Sequence, residues 1–493
     1  MPFVTGPLPQ RLKLVHGFGA VAFGVKDSGF SFFLLPFYNL VLGVDASTVG
    51  AALAPALVID ALVDPLIGHL SDRTYTKWGR RLPWLYLAPW PLALVWTMLW
   101  SPPFTGTPGF WDIVALAVGV RLLLSACEVP SVSLVPEITD DYDDRTTLFR
   151  YRFLSGWLGG LLMMVLTFTV FLPTPQSQLQ PEGYASYGLF GAALIALSVI
   201  GSAAAQHRIV AQLPERRPPP FSITGAFAEI FDAFREKAFV IFALGGLAAY
   251  VLQGMTFSIT QYVNLYVWQF SELAFQLYPA VLFLSVVLMF VIVGPLHRRW
   301  GKPKSAALGA LVGLAFYCSP YVFYLAGAWP TVGTTASTAL LYGFLVCANT
   351  ASVVAIISAT SMVAEIVEAF EERTGQRAEG TFYAGNWLVQ KCATGGGILL
   401  TSLIVQSIDL APGTPQTEVA PETVRQLVWL FMLAATVLAS IAAFWLARFP
   451  ISREQHEARV AARRGRPAPP APATADPLDQ AVRADPDAHT ITP

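Results

Sequence analysis

Two aspartates stand four residues apart in VIDALVDPLIGHLSDR, Val58 to Arg73, and no other charge intervenes back to Asp45. On a helix, residues i and i+4 project from one face, about 6 Å apart along the axis. Carboxylates that close repel unless a cation bridges them or one takes up a proton. Asp60 and Asp64 therefore carry the chemistry of a cation or proton site. Five more charges lie as deep in apolar runs: Lys26, Asp27, Arg121, Glu128 and Lys391. With all seven ionised, four acids face three bases, and one monovalent cation or proton would cancel the excess. A charge at the centre of a bilayer costs at least about 2.5–3.5 kcal/mol, so a set of seven points to a cavity or ion path. Structural pairing that merely fixes helix orientation is the weaker account.

The elements that must hold these charges are apolar and long. Of 493 residues, 54% are hydrophobic and 13% charged, against roughly 25% charged in soluble domains. Mean hydropathy is +0.54. Runs of about 20 apolar residues, each able to cross a ~30 Å hydrocarbon core, recur along the whole chain. Twelve are expected, near 13–43, 46–71, 82–101, 110–138, 149–172, 184–205, 238–264, 274–295, 305–326, 335–365, 380–407 and 423–447. The fold class is an all-α membrane protein. Lys and Arg cluster in alternate loops and at both ends, which by the positive-inside rule places both termini in the cytoplasm of a multi-pass inner-membrane protein. The start MPFVTGPLPQRLKLV has no pattern of a cleavable signal.

The chain also repeats. LVPEITDDYDDRT (Leu134 to Thr146) aligns with MVAEIVEAFEERT (Met362 to Thr374) at an offset of 228 without a gap. Glu137 meets Glu365, and Arg145 meets Arg373. A second echo, with a short gap, pairs GHLSDRTYTKWGRR (Gly68 to Arg81) with GPLHRRWGKPK (Gly294 to Lys304). Two six-helix halves in parallel repeat are the construction of major facilitator transporters, whose sites lie at midplane between the halves. The expected organisation is an N-terminal half over 1–205, a cytoplasmic linker over 206–237 and a C-terminal half over 238–448. A disordered tail over 449–493 follows, rich in Ala, Pro, Asp and Arg. The acidic and basic residues that recur at the cytoplasmic ends, Asp72, Arg73, Arg80, Arg81, Glu137, Arg145, Glu365 and Arg373, are gate candidates. Ion pairs across the meeting halves would steady the closed cytoplasmic side.

IDALVDPLIGHLSDRTYTKWGRRLPW resembles the second-to-third span of the glycoside–pentoside–hexuronide:cation symporters, the melibiose permease-like family of major facilitators. The resemblance implies that Asp60 and Asp64 bind the coupling cation, with Ser125 as the fourth-span hydroxyl of that site. GVKDSGF is similar to the first-span pair whose aspartate binds sugar, here Asp27. ACEVPSVSLVPEIT is similar to the fourth-span segment carrying the second sugar-binding acid, here Glu128 in place of an aspartate. RYRFLSGW places Arg152 at the fifth-span arginine, and LVQKCATGGG places Lys391 at the eleventh-span lysine. Two positions depart from the pattern. Sodium-using relatives carry a polar amide where this chain has Val63, and the sugar-stacking tryptophan is replaced by Val132. Sodium wants several oxygen ligands, whereas a proton needs a single carboxylate, so H+ is expected ahead of Na+.

Tyr383, Trp387 and Lys391 repeat every four residues and share a face, where a cavity role competes with ordinary helix contact. Arg152 has two readings: a substrate contact, or a clamp at the cytoplasmic end. Gly156 and Gly160 read as close helix packing. Net charge −1 argues against nucleic acid as a partner. Four cysteines inside apolar runs and six scattered histidines give no metal site, and no HExxH, GxxxxGK[ST] or GxSxG motif points to an enzyme. No cofactor is expected, and a monomer suffices. The expected function is cation-coupled symport of a sugar or glycoside by alternating access. The alternative is transport of an amphiphile such as a lysolipid, which the loss of the stacking tryptophan keeps open.

Overall fold

The computed structural model describes residues 4, 6, 8–139, 141–211, 232–375, 378–408 and 410–450. The expected disordered tail and most of the expected linker lie outside the described residues. Eleven continuous helices among the described residues are long and apolar enough to cross a bilayer. One of them, Glu272–Leu325, has 54 residues, about 80 Å of helix against a ~30 Å core. It breaks at Gly301, whose φ of 73° and ψ of 170° suit glycine alone. Two spans result, which makes twelve among the described residues.

These are α1 (Gln10–Val41), α2 (Ala46–Arg73), α3 (Leu82–Trp100), α4 (Phe110–Ile138), α5 (Asp143–Phe171), α6 (Pro181–Val210), α7 (Lys237–Val267), α8 (272–300), α9 (302–325), α10 (Thr335–Thr374), α11 (Gly380–Gln406) and α12 (Pro421–Ala447). Within the first six, α1 packs on α5 and α6, α2 on α4, and α3 on α4 and α6. Similar pairings recur in the last six: α7 packs on α11 and α12, and α8 and α9 on α10. Both α1 and α7 end in wide π-type turns, at Phe37–Val41 and Val263–Val267. A further π segment, Gly29–Phe33, begins two residues after Asp27; such turns shift the register of the side chains beyond them.

Small residues set the helix spacing. A Cβ on Gly24 would fall 1.7 Å from the carbonyl oxygen of Gly156 and 2.7 Å from the nitrogen of Gly160. That is the close packing of α1 on α5 which the small pair predicts. On α11, a Cβ on Gly397 would meet the carbonyl oxygen of Val251 at 2.3 Å.

The two groups of six touch unevenly along their length. At the end opposite the basic loops, the Tyr262 hydroxyl donates to Asn39 Oδ1 at 3.0 Å, and Gly413 N donates to the Leu40 carbonyl at 2.9 Å. Gln261 on α7 also donates to Gln178, which sits in the turn before α6. Phe32 stacks on Phe257 at 4.8 Å, and Phe168 lies 5.2 Å from Phe275. The α2–α11 contact runs from Ser47 and Gln406 through Gly50 and Ser402 to Gly395 and Leu57. It ends at Asp64 and Lys391. Beyond it, toward the basic loops, Leu70 and Trp387 are each 53% exposed. The groups meet at one end and part at the other.

A charged centre between the two groups of six

Where the α2–α11 contact ends, the deep charges converge. Asp60 is buried on α2 and takes a hydrogen bond from Arg121 Nη1 on α4, at 3.2 Å to Oδ2. Ser125, one turn further along α4, places its Oγ 2.7 Å from Asp60 Oδ1 and 2.7 Å from Asp64 Oδ1. Lys391 arrives from α11, its Nζ 2.5 Å from Asp64 Oδ2 and 3.0 Å from Asp60 Oδ2. The guanidinium of Arg121 also lies over the Phe30 ring, 4.4 Å from its centroid. Five polar side chains from three helices thus form one network. Two carboxylates meet two cations, so the four charges sum to zero when all are ionised.

Ser125 carries one hydrogen and can donate it to one oxygen only. Its second 2.7 Å contact becomes a hydrogen bond when the other carboxyl carries a proton. The Val63 position adds no polar atom between the two acids, so the oxygens at hand are those of Asp60, Asp64 and Ser125.

Asp27 and Lys26 form an ion pair on α1, with Lys26 buried and the Asp27 side chain 66% exposed. Glu128 lies one turn beyond Ser125, half-buried, within electrostatic reach of Lys26 and Lys391. Asp27 and Glu128 therefore border the network without joining its hydrogen bonds. Arg152 falls in the third turn of α5, because that helix starts at Asp143, earlier than the apolar run suggests. It is buried inside the first six helices, with Nη1 donating to Ser131 Oγ at 2.6 Å and its guanidinium 5.5 Å from the Phe23 centroid. Trp387 stands one turn from Lys391, exposed on the side where α2 and α11 diverge. Tyr383 lies a further turn toward the basic end.

The ion pairs of Arg80, Arg81 and Glu365 lie inside one group of six each, and Arg373 pairs at the start of α7. Arg80 Nε and Arg81 Nε donate to Glu137 Oε1 at 2.9 Å and 3.1 Å, and Arg81 also pairs with Asp72. In the last six, Lys302 Nζ lies 2.9 Å from Glu365 Oε1, and Arg373 pairs with Glu236. Arg145 Nε donates to the Thr139 carbonyl at 2.8 Å, and Arg73 is exposed. The two echoes of the sequence thus become one repeated device. Trp78-Gly79-Arg80 corresponds to Trp300-Gly301-Lys302, both glycines have positive φ, and the basic residue after each reaches the equivalent glutamate. Each such pair ties a loop to its own helices and lies within one group of six.

Two features escape sequence reasoning. Arg121 is visible as a deep charge, but nothing in the residues around it says that it reaches Asp60 across a helix boundary. The bonds Asn39–Tyr262 and Gln178–Gln261 join distant segments through neutral groups, and neither spacing nor charge marks them.

The family pattern described as MFS/sugar transport protein matches residues 15–453. An uncharacterized symporter of Synechocystis sp. is 27% identical, over 90% of this chain and 94% of its own length. The isoprimeverose transporter of Lactiplantibacillus pentosus is 30% identical over 32% of this chain and 33% of its own. Among solved structures, a bacterial homolog of the human lysosomal transporter Spinster, inward-facing and unoccupied, superposes with a TM-score of 0.61. It shares 14% identity and covers 90% of this chain and 98% of that one, a likeness of fold. With the family pattern spanning nearly all of the twelve helices, the chain belongs to the MFS/sugar transport family of multi-pass membrane proteins, in its glycoside–pentoside–hexuronide:cation symporter branch.

Proposed function

We propose that the protein is a proton-coupled symporter of a sugar or glycoside, working by alternating access across the cytoplasmic membrane. The observation that carries this is Lys391. It is the cation of one group of six helices bound to both carboxylates of the other, at the point where the groups begin to part. A proton arriving on Asp60 or Asp64 removes one of the two negative charges that hold Lys391. Loading of the pair and contact between the groups then become one event. The double contact of Ser125 supports a proton as the coupling ion, since one protonated carboxyl turns both 2.7 Å approaches into hydrogen bonds.

By the positive-inside rule the basic loops and both termini face the cytoplasm, which makes the present arrangement inward-facing. Asp27 and Glu128 are acceptors bordering the charged network, Lys391 is a donor within it, and Trp387 offers an exposed ring one turn from Lys391, while Arg152 stays a donor buried behind them on Ser131. That is an inventory suited to sugar hydroxyls and to the apolar face of a sugar ring. Similarity to an isoprimeverose transporter supports a sugar over an amphiphile. The test is uptake by vesicles of labelled isoprimeverose, xylose and methyl galactoside, each against competing lysophosphatidylcholine. Saturable uptake of a sugar, indifferent to the lysolipid, bears the proposal out. Uptake of the lysolipid alone refutes it.

A further inference from the structure

Two cations hold the Asp60–Asp64 pair, and they differ in where they stand. Lys391 is on α11, so its hold on α2 depends on how the two groups of six are disposed. Arg121 is on α4 and its ring partner Phe30 on α1, in the same group of six as both aspartates. Arg121 is 5% exposed and Asp60 4%. Whatever the groups do, Arg121 travels with the pair.

Each of the four carboxylate oxygens lies within 3.2 Å of Ser125 Oγ, Arg121 Nη1 or Lys391 Nζ, with Ser125 donating to one of its two oxygens at a time. With Lys391 withdrawn, Asp60 Oδ2 would still be held by the guanidinium, and the two acids plus Arg121 would sum to a single negative charge. A hard metal cation is bound by several oxygens and by the negative charge they carry. Sodium here would find half the charge of two carboxylates, one oxygen already engaged, and a fixed positive group on the same carboxylate. A proton needs one carboxylate oxygen and nothing else.

We infer that Arg121 is a tethered cation standing permanently in the metal-ion share of this pair, so that a proton loads it while sodium and lithium are excluded. Arg121 is then a selectivity residue. This rests on Asp60 and Asp64 being the coupling pair, as proposed above.

The experiment uses the full chain purified in detergent, with radioactive sodium as the probe and choline as the control salt, at alkaline pH. The parent is expected to show no saturable sodium binding. Arg121→Gln and Arg121→Met, the latter keeping a flexible stem against Phe30, are expected to gain saturable binding that the parent lacks and to lose it when Asp64→Asn is added. Arg121→Lys should remain blind to sodium. Saturable binding by the parent overturns the inference, and so does its absence from both neutral variants when folded. A proton titration keeps the two claims apart. If Asp64→Asn binds as many protons as the parent, Asp64 is not the carrier. If it binds one fewer while the neutral Arg121 variants stay blind to sodium, the role of Arg121 alone falls.

Discussion

Replacing Lys391 by methionine removes a cation from two carboxylates at once. Its Nζ lies 2.5 Å from Asp64 and 3.0 Å from Asp60. At an effective dielectric near 20, charges about 3 Å apart attract by about 5–6 kcal/mol before desolvation. Removing one partner of a fully buried pair costs about 3–5 kcal/mol, because the remaining charge is stranded. Here the Lys391 and Asp64 side chains are 23% and 30% exposed, so water softens the loss to about 1–3 kcal/mol. The assay is thermal unfolding in detergent at alkaline and acid pH. Lys391→Met should unfold at lower temperature than the parent at alkaline pH. The deficit should shrink as pH falls, since a proton on the stranded carboxylate removes the charge that Lys391 had balanced. Adding Asp64→Asn should restore part of the stability, with a coupling of about 1–2 kcal/mol in a double-mutant cycle. A deficit equal at both pH values, and not rescued by Asp64→Asn, would reduce Lys391 to its methylene packing and refute the reasoning.

The other expectations concern transport and its two ends. Asp60→Asn and Asp64→Asn should each abolish accumulation against a gradient while expression persists; accumulation by both variants would remove the pair from coupling. Asp27→Ala and Glu128→Ala should weaken equilibrium binding of the transported sugar by about tenfold or more, as loss of a charge-assisted hydrogen bond implies, and unchanged binding in both would move the sugar site elsewhere. Tyr262→Phe and Gln261→Ala each remove one neutral bond at the end opposite the basic loops, worth about 1 kcal/mol. Either should speed labelling of a cysteine placed near Phe257 by an impermeant reagent added outside, severalfold. Equal rates in both variants and the parent would mean that these bonds do not hold that end shut.

Much of the site was legible because intramembrane charges are expensive and therefore few. Asp60, Asp64 and Lys391 announce themselves by type and depth, Ser125 only through the family resemblance, and the structure brings all four into one network. The twelve spans follow from hydropathy, and the basic cluster near 298–304 already parts the two spans that make up Glu272–Leu325. The repeat at an offset of 228 anticipated Glu137 and Glu365 as equivalents, yet not that each would bind a basic residue of its own group of six. Ion pairs are short-range, and sequence reports neither which loop folds back on which helix nor which end of the molecule is parted. Arg152 shows a boundary effect. Polar residues from Asp143 to Arg152 hide the first turns of α5, so an arginine buried well inside the helix reads as one at its start. The neutral bonds of Asn39, Gln178, Gln261 and Tyr262 left no trace, since amides and tyrosines are common at span ends for other reasons.

The central claim is that sugar and a proton cross together through the Asp60–Asp64 pair. It is tested most directly by vesicles holding a pH-sensitive dye, with the membrane potential clamped, to which the transported sugar is added from outside. The account predicts internal acidification on sugar addition, the same in sodium and in choline, and absent from Asp60→Asn and Asp64→Asn. Entry of sugar with no change in internal pH, or entry that requires sodium, would contradict it.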